Sequence, residues 1–262
     1  IKYFKKCKKY GIIGKNKKGI RIMLQENERI DDLEFENLKI IQNKNWFCFG
    51  IDSVLLVNFS KNIKKSANVL DLGTGTGIIP ILLSGKNDFK KAIGVEVQEN
   101  VAEMSRRSVE LNNLENKIEI VCDNIINLKE RYKNSKFDVI ITNPPYKKGG
   151  EGVVNEVEEK LISRHEVKAN LEDFIKTASS LLKDKGEFYI VHRPERLVDI
   201  LSLMREYKIE PKLMQFVCSS YNKPPKLVLI KGIRNANAFL KVEKNLYIYD
   251  EKGNYTKEIM DI

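Results

Sequence analysis

The sequence predicts an α/β protein: a mostly parallel sheet with helices on both faces and an antiparallel hairpin at one end. Three observations lead there. Seven apolar runs of strand length recur, at Asn68–Leu72, Ala92–Val97, Ile118–Cys122, Phe137–Thr142, Glu187–His192, Met214–Cys218 and Leu227–Gly232. Segments with helical spacing lie among them, and alternating strands and helices imply parallel pairing. The last two runs are separated only by SSYNKPPK, too short for a helix, so they are expected to form a hairpin.

Taken in order, Glu26–Phe59 is a lead-in, with Ser53–Phe59 expected to be helical. Ile78–Leu83 follows the first strand as a helix, and Asn100–Leu111 follows the second. Leu171–Leu182 precedes the fifth strand, with Asn170 suited to cap it. Leu197–Tyr207 follows that strand, and Pro194 fits the first turn of its helix. Lys241–Ile262 alternates and is expected to form a two-strand ribbon turning at Lys252-Gly253-Asn254. The chain divides into a basic tail (1–22), a lead-in (23–66), a central domain (67–235) and a C-terminal extension (236–262).

The net charge is +10, but nine cations and no acid fall within residues 1–23, leaving +1 for the remainder. Total charge is therefore weak guidance to the partner. The basic stretch suits either a solvated tail or a phosphate-binding arm. Residues 1–22 are expected to lie upstream of a natural start at Met23, where the composition changes. No stretch of 18 uncharged apolar residues is present, which argues against a membrane-spanning helix. The four cysteines form no CxxC pair and there are only two histidines, His165 and His192, so no metal site is expected. Lone cysteines and no secretory signal fit a cytoplasmic location.

The first strand runs into VLDLGTGTGIIP. Gly73, Gly75 and Gly77 allow a tight turn and close backbone approach to a ligand. A P-loop would need Gly-Lys-Ser/Thr where Ile78-Ile79-Pro80 stands, and a dinucleotide fingerprint is GxGxxG rather than this GxGxG. Asp71 would repel a pyrophosphate but attract an ammonium. Glu96, at the end of the second strand, can accept ribose hydroxyls. Asp123, after the third strand, can receive an adenine amine. Ribose, adenine and an ammonium-bearing tail together describe S-adenosyl-L-methionine. The neighbouring Thr74, Val97 and Asn124 belong to the same expected cofactor site.

The fourth strand delivers Asn143-Pro144-Pro145-Tyr146 to the same edge. Two prolines stiffen the loop and remove two N–H donors. The expected result is a pair of acceptors, the Asn143 side-chain oxygen and the Pro144 carbonyl, beside the aromatic face of Tyr146. That arrangement suits a planar NH₂ group. Accepting both its N–H bonds draws the nitrogen toward tetrahedral shape and frees its lone pair to attack a sulfonium methyl.

In these residues the chain resembles the class I S-adenosylmethionine-dependent methyltransferases with an NPPY loop: VLDLGTGTG, GVEV, CDN and NPPY occur in order over 67–150. ENERIDDL, LKIIQ, FCFGIDSVLL, SRHE, GEFYIVHRPERL and KPPKLVLIKGIRN resemble the bacterial tRNA1(Val) adenine-37 N6-methyltransferase family over about 26–250. The resemblance implies a Rossmann-like seven-stranded sheet, a tRNA substrate and no obligate protein partner. It also implies that lead-in residues Phe49, Gly50 and Asp52 lie over the cofactor, while Asn143 to Tyr146 hold the base. RNA contacts are expected from Lys147, Lys148, Arg164, His165, Arg193 and Arg196.

The motifs alone leave other readings open. A glutamine side chain offers the same planar NH₂, although that reading and a DNA adenine enzyme would each be expected to bring a separate recognition domain or insertion. A non-catalytic RNA-binding protein on the same fold is the remaining alternative.

Overall fold

The computed structural model describes residues 14, 15, 21–46, 48–133, 136–146 and 169–262. The lead-in forms a hairpin, β1 (Glu28–Asp32) with β2 (Lys39–Asn43), followed by α1 (Ile51–Phe59). Then come β3 (Asn68–Leu72), α2 (Ile78–Lys86), β4 (Lys91–Glu96), α3 (Glu99–Leu111), β5 (Ile118–Cys122) and β6 (Phe137–Thr142). The remaining large elements are α4 (Leu171–Leu181), β7 (Leu182–His192), α5 (Leu197–Glu206), β8 (Ile209–Cys218) and β9 (Pro225–Arg234).

The sheet order is β8-β9-β7-β6-β3-β4-β5. Only β9 runs against its neighbours, β8 and β7, so the expected hairpin closes the sheet at that end. Side chains alternate across the sheet, as a period of two requires. Val69, Val139, Ile141, Tyr189 and Val191 pack in one core with α1, α2 and α3. Leu70, Ile140, Phe188 and Ile190 pack in a second core with α4 and α5. The helix starts follow local chemistry. Asn170 accepts from the Asp173 N–H at 3.1 Å, and Asp173 accepts from the Asn170 N–H at 2.8 Å, a reciprocal cap for α4.

Two regions depart from expectation. The β1–β2 hairpin in the lead-in was unforeseen, because its short strands carry polar and charged residues. It is held to α3 by side chains: Asn112 bonds both the N–H and the carbonyl of Lys39, at 2.8 and 2.7 Å. Arg107 grips the fully buried Glu28 carboxylate through two bonds of 2.6 and 2.7 Å. At the other end, the expected C-terminal ribbon reduces to one bridge, Tyr249 to Tyr255, around a turn with Gly253 at φ +80°. The preceding pieces, β10 (Lys241–Val242) and β11 (Leu246–Tyr247), instead join β8 in parallel, and α6 (Lys257–Met260) ends the chain. The open edge of β8 captures backbone that would otherwise have paired with itself.

Candidate active site

The carboxyl ends of β3, β4, β5 and β6 form one edge of the sheet, and the motif residues collect there. Thr74 N–H donates to the Val95 carbonyl at 2.8 Å, tying the glycine turn to β4. Gly75 has φ +55°, and none of the described residues comes within 4 Å of where a Cβ would stand, which leaves space among them in front of the turn. At Gly77, φ +83°, a Cβ would stand 2.4 Å from the Ser105 hydroxyl, so only glycine lets α2 start here.

Asp71 is 1% exposed, and among the described residues neither of its carboxylate oxygens has a hydrogen-bond partner. Burial, opposed by the neighbouring Thr74 hydroxyl and reinforced by the Glu96 charge, pushes its pKa up to about 7. An orphaned buried carboxylate is costly, and a cation delivered to it would relieve that cost. Glu96 is also buried, but it accepts from the Gly75 N–H at 3.1 Å and the Gln98 N–H at 3.0 Å. Burial raises its pKa against those backbone bonds. Each Glu96 oxygen accepts one backbone bond and keeps a lone pair for a hydroxyl. Val97 follows it, 37% exposed at the same edge. Asp123 is bound within its own loop, accepting from the Asn124 N–H, Asn127 and Arg131 at 2.8, 3.1 and 3.1 Å. Asn124 caps the turn that follows by accepting from the Ile126 N–H at 3.1 Å.

Beside the glycine turn, β6 pairs with β3 in the register Thr142 to Leu72, and the Thr142 hydroxyl donates to the Leu72 carbonyl at 2.7 Å. Asn143 therefore emerges next to Gly73. Its Nδ2 donates to Ser53 Oγ at 3.1 Å. The Tyr146 hydroxyl lies 2.8 Å from Asn143 Oδ1 and 2.6 Å from Asp52 Oδ2. One hydroxyl proton serves one acceptor at a time, so Asp52 and Asn143 share it. Burial first, and then the Asp52 charge, raise the Tyr146 pKa. Pro144 is buried and Pro145 exposed.

The aromatic ring expected beside the acceptors has neighbours of its own. The Tyr146 ring already meets His192, with centroids 5.0 Å apart, and the Arg193 guanidinium, 5.1 Å from its centroid. His192 is buried, accepts from the Arg193 N–H at 2.8 Å, and has its pKa lowered to about 4 by burial and then by Arg196. A base stacking on Tyr146 would have these two groups as neighbours.

Three positioning residues lacked a clear sequence signal. Ser53 and Arg131 are ordinary helix residues until the fold brings them to Asn143 and Asp123. Gln42, in the quoted LKIIQ, is buried; its amide accepts from the Phe49 N–H at 2.9 Å and donates to Asp31 at 2.5 Å. It thereby fixes the approach of Phe49 and Gly50 to α1. Lys147, Lys148, Arg164 and His165 lie outside the described residues. A half-open cleft lined by Asn68, Lys91, Ile93, Tyr132, Lys136 and Phe137 sits at the opposite, amino-terminal ends of the strands. It gathers none of the motif residues.

A glycine turn, an orphaned acid and an amide-proline loop on one edge of this sheet define a methyltransferase-type protein. Residues 37–207 match the methyltransferase small domain model, and the chain belongs to that family. It is similar to a tRNA1(Val) (adenine(37)-N6)-methyltransferase of Histophilus somni, 28% identical over 87% of this chain and 93% of that one. A protein of the same description from Porphyromonas gingivalis is 27% identical, over 76% of this chain and 79% of the relative. Among solved structures, a predicted O-methyltransferase from Agrobacterium tumefaciens superposes with a TM-score of 0.65 at 19% identity, over 80% of this chain and 94% of that one. That likeness concerns the fold.

Proposed function

We propose that the protein transfers a methyl group from S-adenosyl-L-methionine to N6 of adenine 37 in the anticodon loop of a valine tRNA. The observation carrying this reading is the register that sets Asn143 beside the glycine turn, with the unpaired Asp71 close behind. S-adenosyl-L-methionine, when bound, supplies an electrophilic methyl group on a sulfonium. Asp71 meets its ammonium, Glu96 its ribose, and Val97 with the Asp123–Asn124 loop borders its adenine.

On the acceptor side, Asn143 Oδ1 and the Pro144 carbonyl hold the two hydrogens of the target amine. This localises the nitrogen lone pair and aims it in line. Transfer with S-adenosyl-L-homocysteine as the leaving group would place positive charge on that nitrogen, and both fixed acceptors would stabilise it. The nitrogen would then lose one proton to solvent. A neutral amide oxygen can orient that proton but cannot keep it. Adenine 37 lies in a single-stranded loop, so extruding it costs at most a few kcal/mol. The relatives' tRNA names favour a nucleic-acid acceptor over a glutamine side chain.

The test is incubation with labelled cofactor and unmodified total tRNA, followed by nucleoside mass spectrometry. The expected product is N6-methyladenosine at one anticodon-loop position. Label in a protein glutamine, or none in tRNA, would overturn the reading.

A further inference from the structure

We propose that the loop between β8 and β9 is a stacking platform that seats a single-stranded RNA nucleotide flanking the target base. The proposal rests on the RNA reading above and gives it a second contact. Tyr221 projects from this loop with 71% of its surface exposed. An exposed tyrosine is usually free to rotate, but this one rests against Tyr247, with ring centroids 5.5 Å apart and planes at 45°. Tyr247 is itself fixed. It pairs with Cys218 at the carboxyl end of β8, and the next two N–H groups donate to the Cys218 and Ser219 carbonyls at 3.0 and 2.9 Å.

The loop is stiff as well. Pro224 and Pro225 close it, and the Lys223 N–H donates to the Ser220 carbonyl at 3.1 Å. A preorganised ring loses little entropy when a base stacks on it. Lys223 and Lys226 beside it are exposed, and neither forms an ion pair among the described residues. The nearby Asp250 is engaged in its own turn, accepting from the Lys252 and Asn254 N–H groups at 2.9 Å each.

The platform is continuous with the candidate active site. Arg193 donates to the Lys226 carbonyl at 3.3 Å while its guanidinium lies over Tyr146. A strand entering at Asn143 therefore finds an aromatic face and cations along the same sheet edge. Rings with interleaved cations fit unpaired nucleotides, since each base offers a π face. A duplex would use the lysines alone.

The test measures binding of an unmodified anticodon stem-loop and of a blunt RNA duplex of equal length, across a salt series. Tyr221→Ala is expected to weaken stem-loop binding about tenfold, change duplex binding by less than about twofold, and leave kcat at saturating RNA unchanged. Tyr221→Phe should bind like wild type. Lys223→Ala with Lys226→Ala should weaken both RNAs and flatten the salt dependence by about 1.5 in the log–log slope. Stem-loop binding unaltered by Tyr221→Ala would overturn the platform while leaving the proposed function standing. Failure of the wild-type protein to bind either RNA would overturn both.

Discussion

On the β3–β4 side of the site, Asp71 keeps two buried oxygens without a partner among the described residues. On the β6 side, Asn143, Tyr146, Asp52 and Ser53 are already bonded to one another. The first region presents a buried acid that a cation or hydrogen-bond donor would satisfy. The second is already networked, but Asn143 Oδ1 accepts only the shared Tyr146 bond there and keeps a lone pair for an acceptor amine. Cofactor binding should therefore be favoured by relief of desolvation, whereas acceptor binding adds a hydrogen bond to a network already in place. Selectivity follows from that placement, because an entering group without a donor makes no bond to the Asn143 oxygen.

Removing Asn143 breaks the comparison most directly. Asn143→Ala is expected to lower kcat by about 10²–10³-fold, the scale for deleting one preorganised electrostatic contact. Calorimetry should find S-adenosyl-L-methionine affinity within a few-fold of wild type. Near-normal turnover would show that the network is structural only.

Asp71→Asn probes the open side. Losing a charge-assisted contact of about 1.5–3 kcal/mol should weaken cofactor binding roughly 10–100-fold. The same change should stabilise the ligand-free protein, and the sign follows from titration. The folded pKa of Asp71, about 7, lies above the ordinary value of about 3.9. The native state therefore holds the proton more tightly, and that contribution is full below about pH 4 and lost as pH rises through about 7. At pH 8 the ligand-free variant should melt several degrees above wild type, with the gap closing toward pH 4. His192, on the networked side, acts in the opposite sense. Its pKa lies near 4, below its ordinary value, so the stability it lends is lost as pH falls from about 6.5 to about 4. A variant no more stable than wild type at pH 8 would mean that Asp71 finds a partner in solution.

What the sequence revealed divides along the same line. The seven strands and the edge carrying Asp71, Glu96 and Asn143 were legible, because alternation, glycine turns and prolines act over a few residues. The bond from Ser53 to Asn143 spans 90 residues, and the grip of Arg107 on Glu28 spans 79. Neither residue type is unusual where it stands. The neighbours of the Tyr146 ring were hidden for a related reason. His192 and Arg193 stand at the end of a strand two places along the sheet from β3, and only the sheet order brings them to that ring. The C-terminal ribbon failed because alternation reports pairing but not the partner, and β8 offered a better edge.

The finest test concerns what holds the Asn143 amide in place. Asp52 competes for the Tyr146 proton, which weakens the tyrosine's hold on Oδ1. The Ser53 hydroxyl, buried and 3.1 Å from Nδ2, accepts from the amide and holds its plane in position. In Ser53→Ala, Nδ2 loses that partner and the amide is freer to swing out of line with the acceptor NH₂. A bond worth about 1 kcal/mol predicts a fall in kcat of roughly fivefold, with cofactor affinity and melting temperature almost unchanged. Ser53→Thr, which keeps the hydroxyl, should restore the rate. If serine removal lowered cofactor binding and stability along with turnover, Ser53 would be packing α1 rather than orienting Asn143.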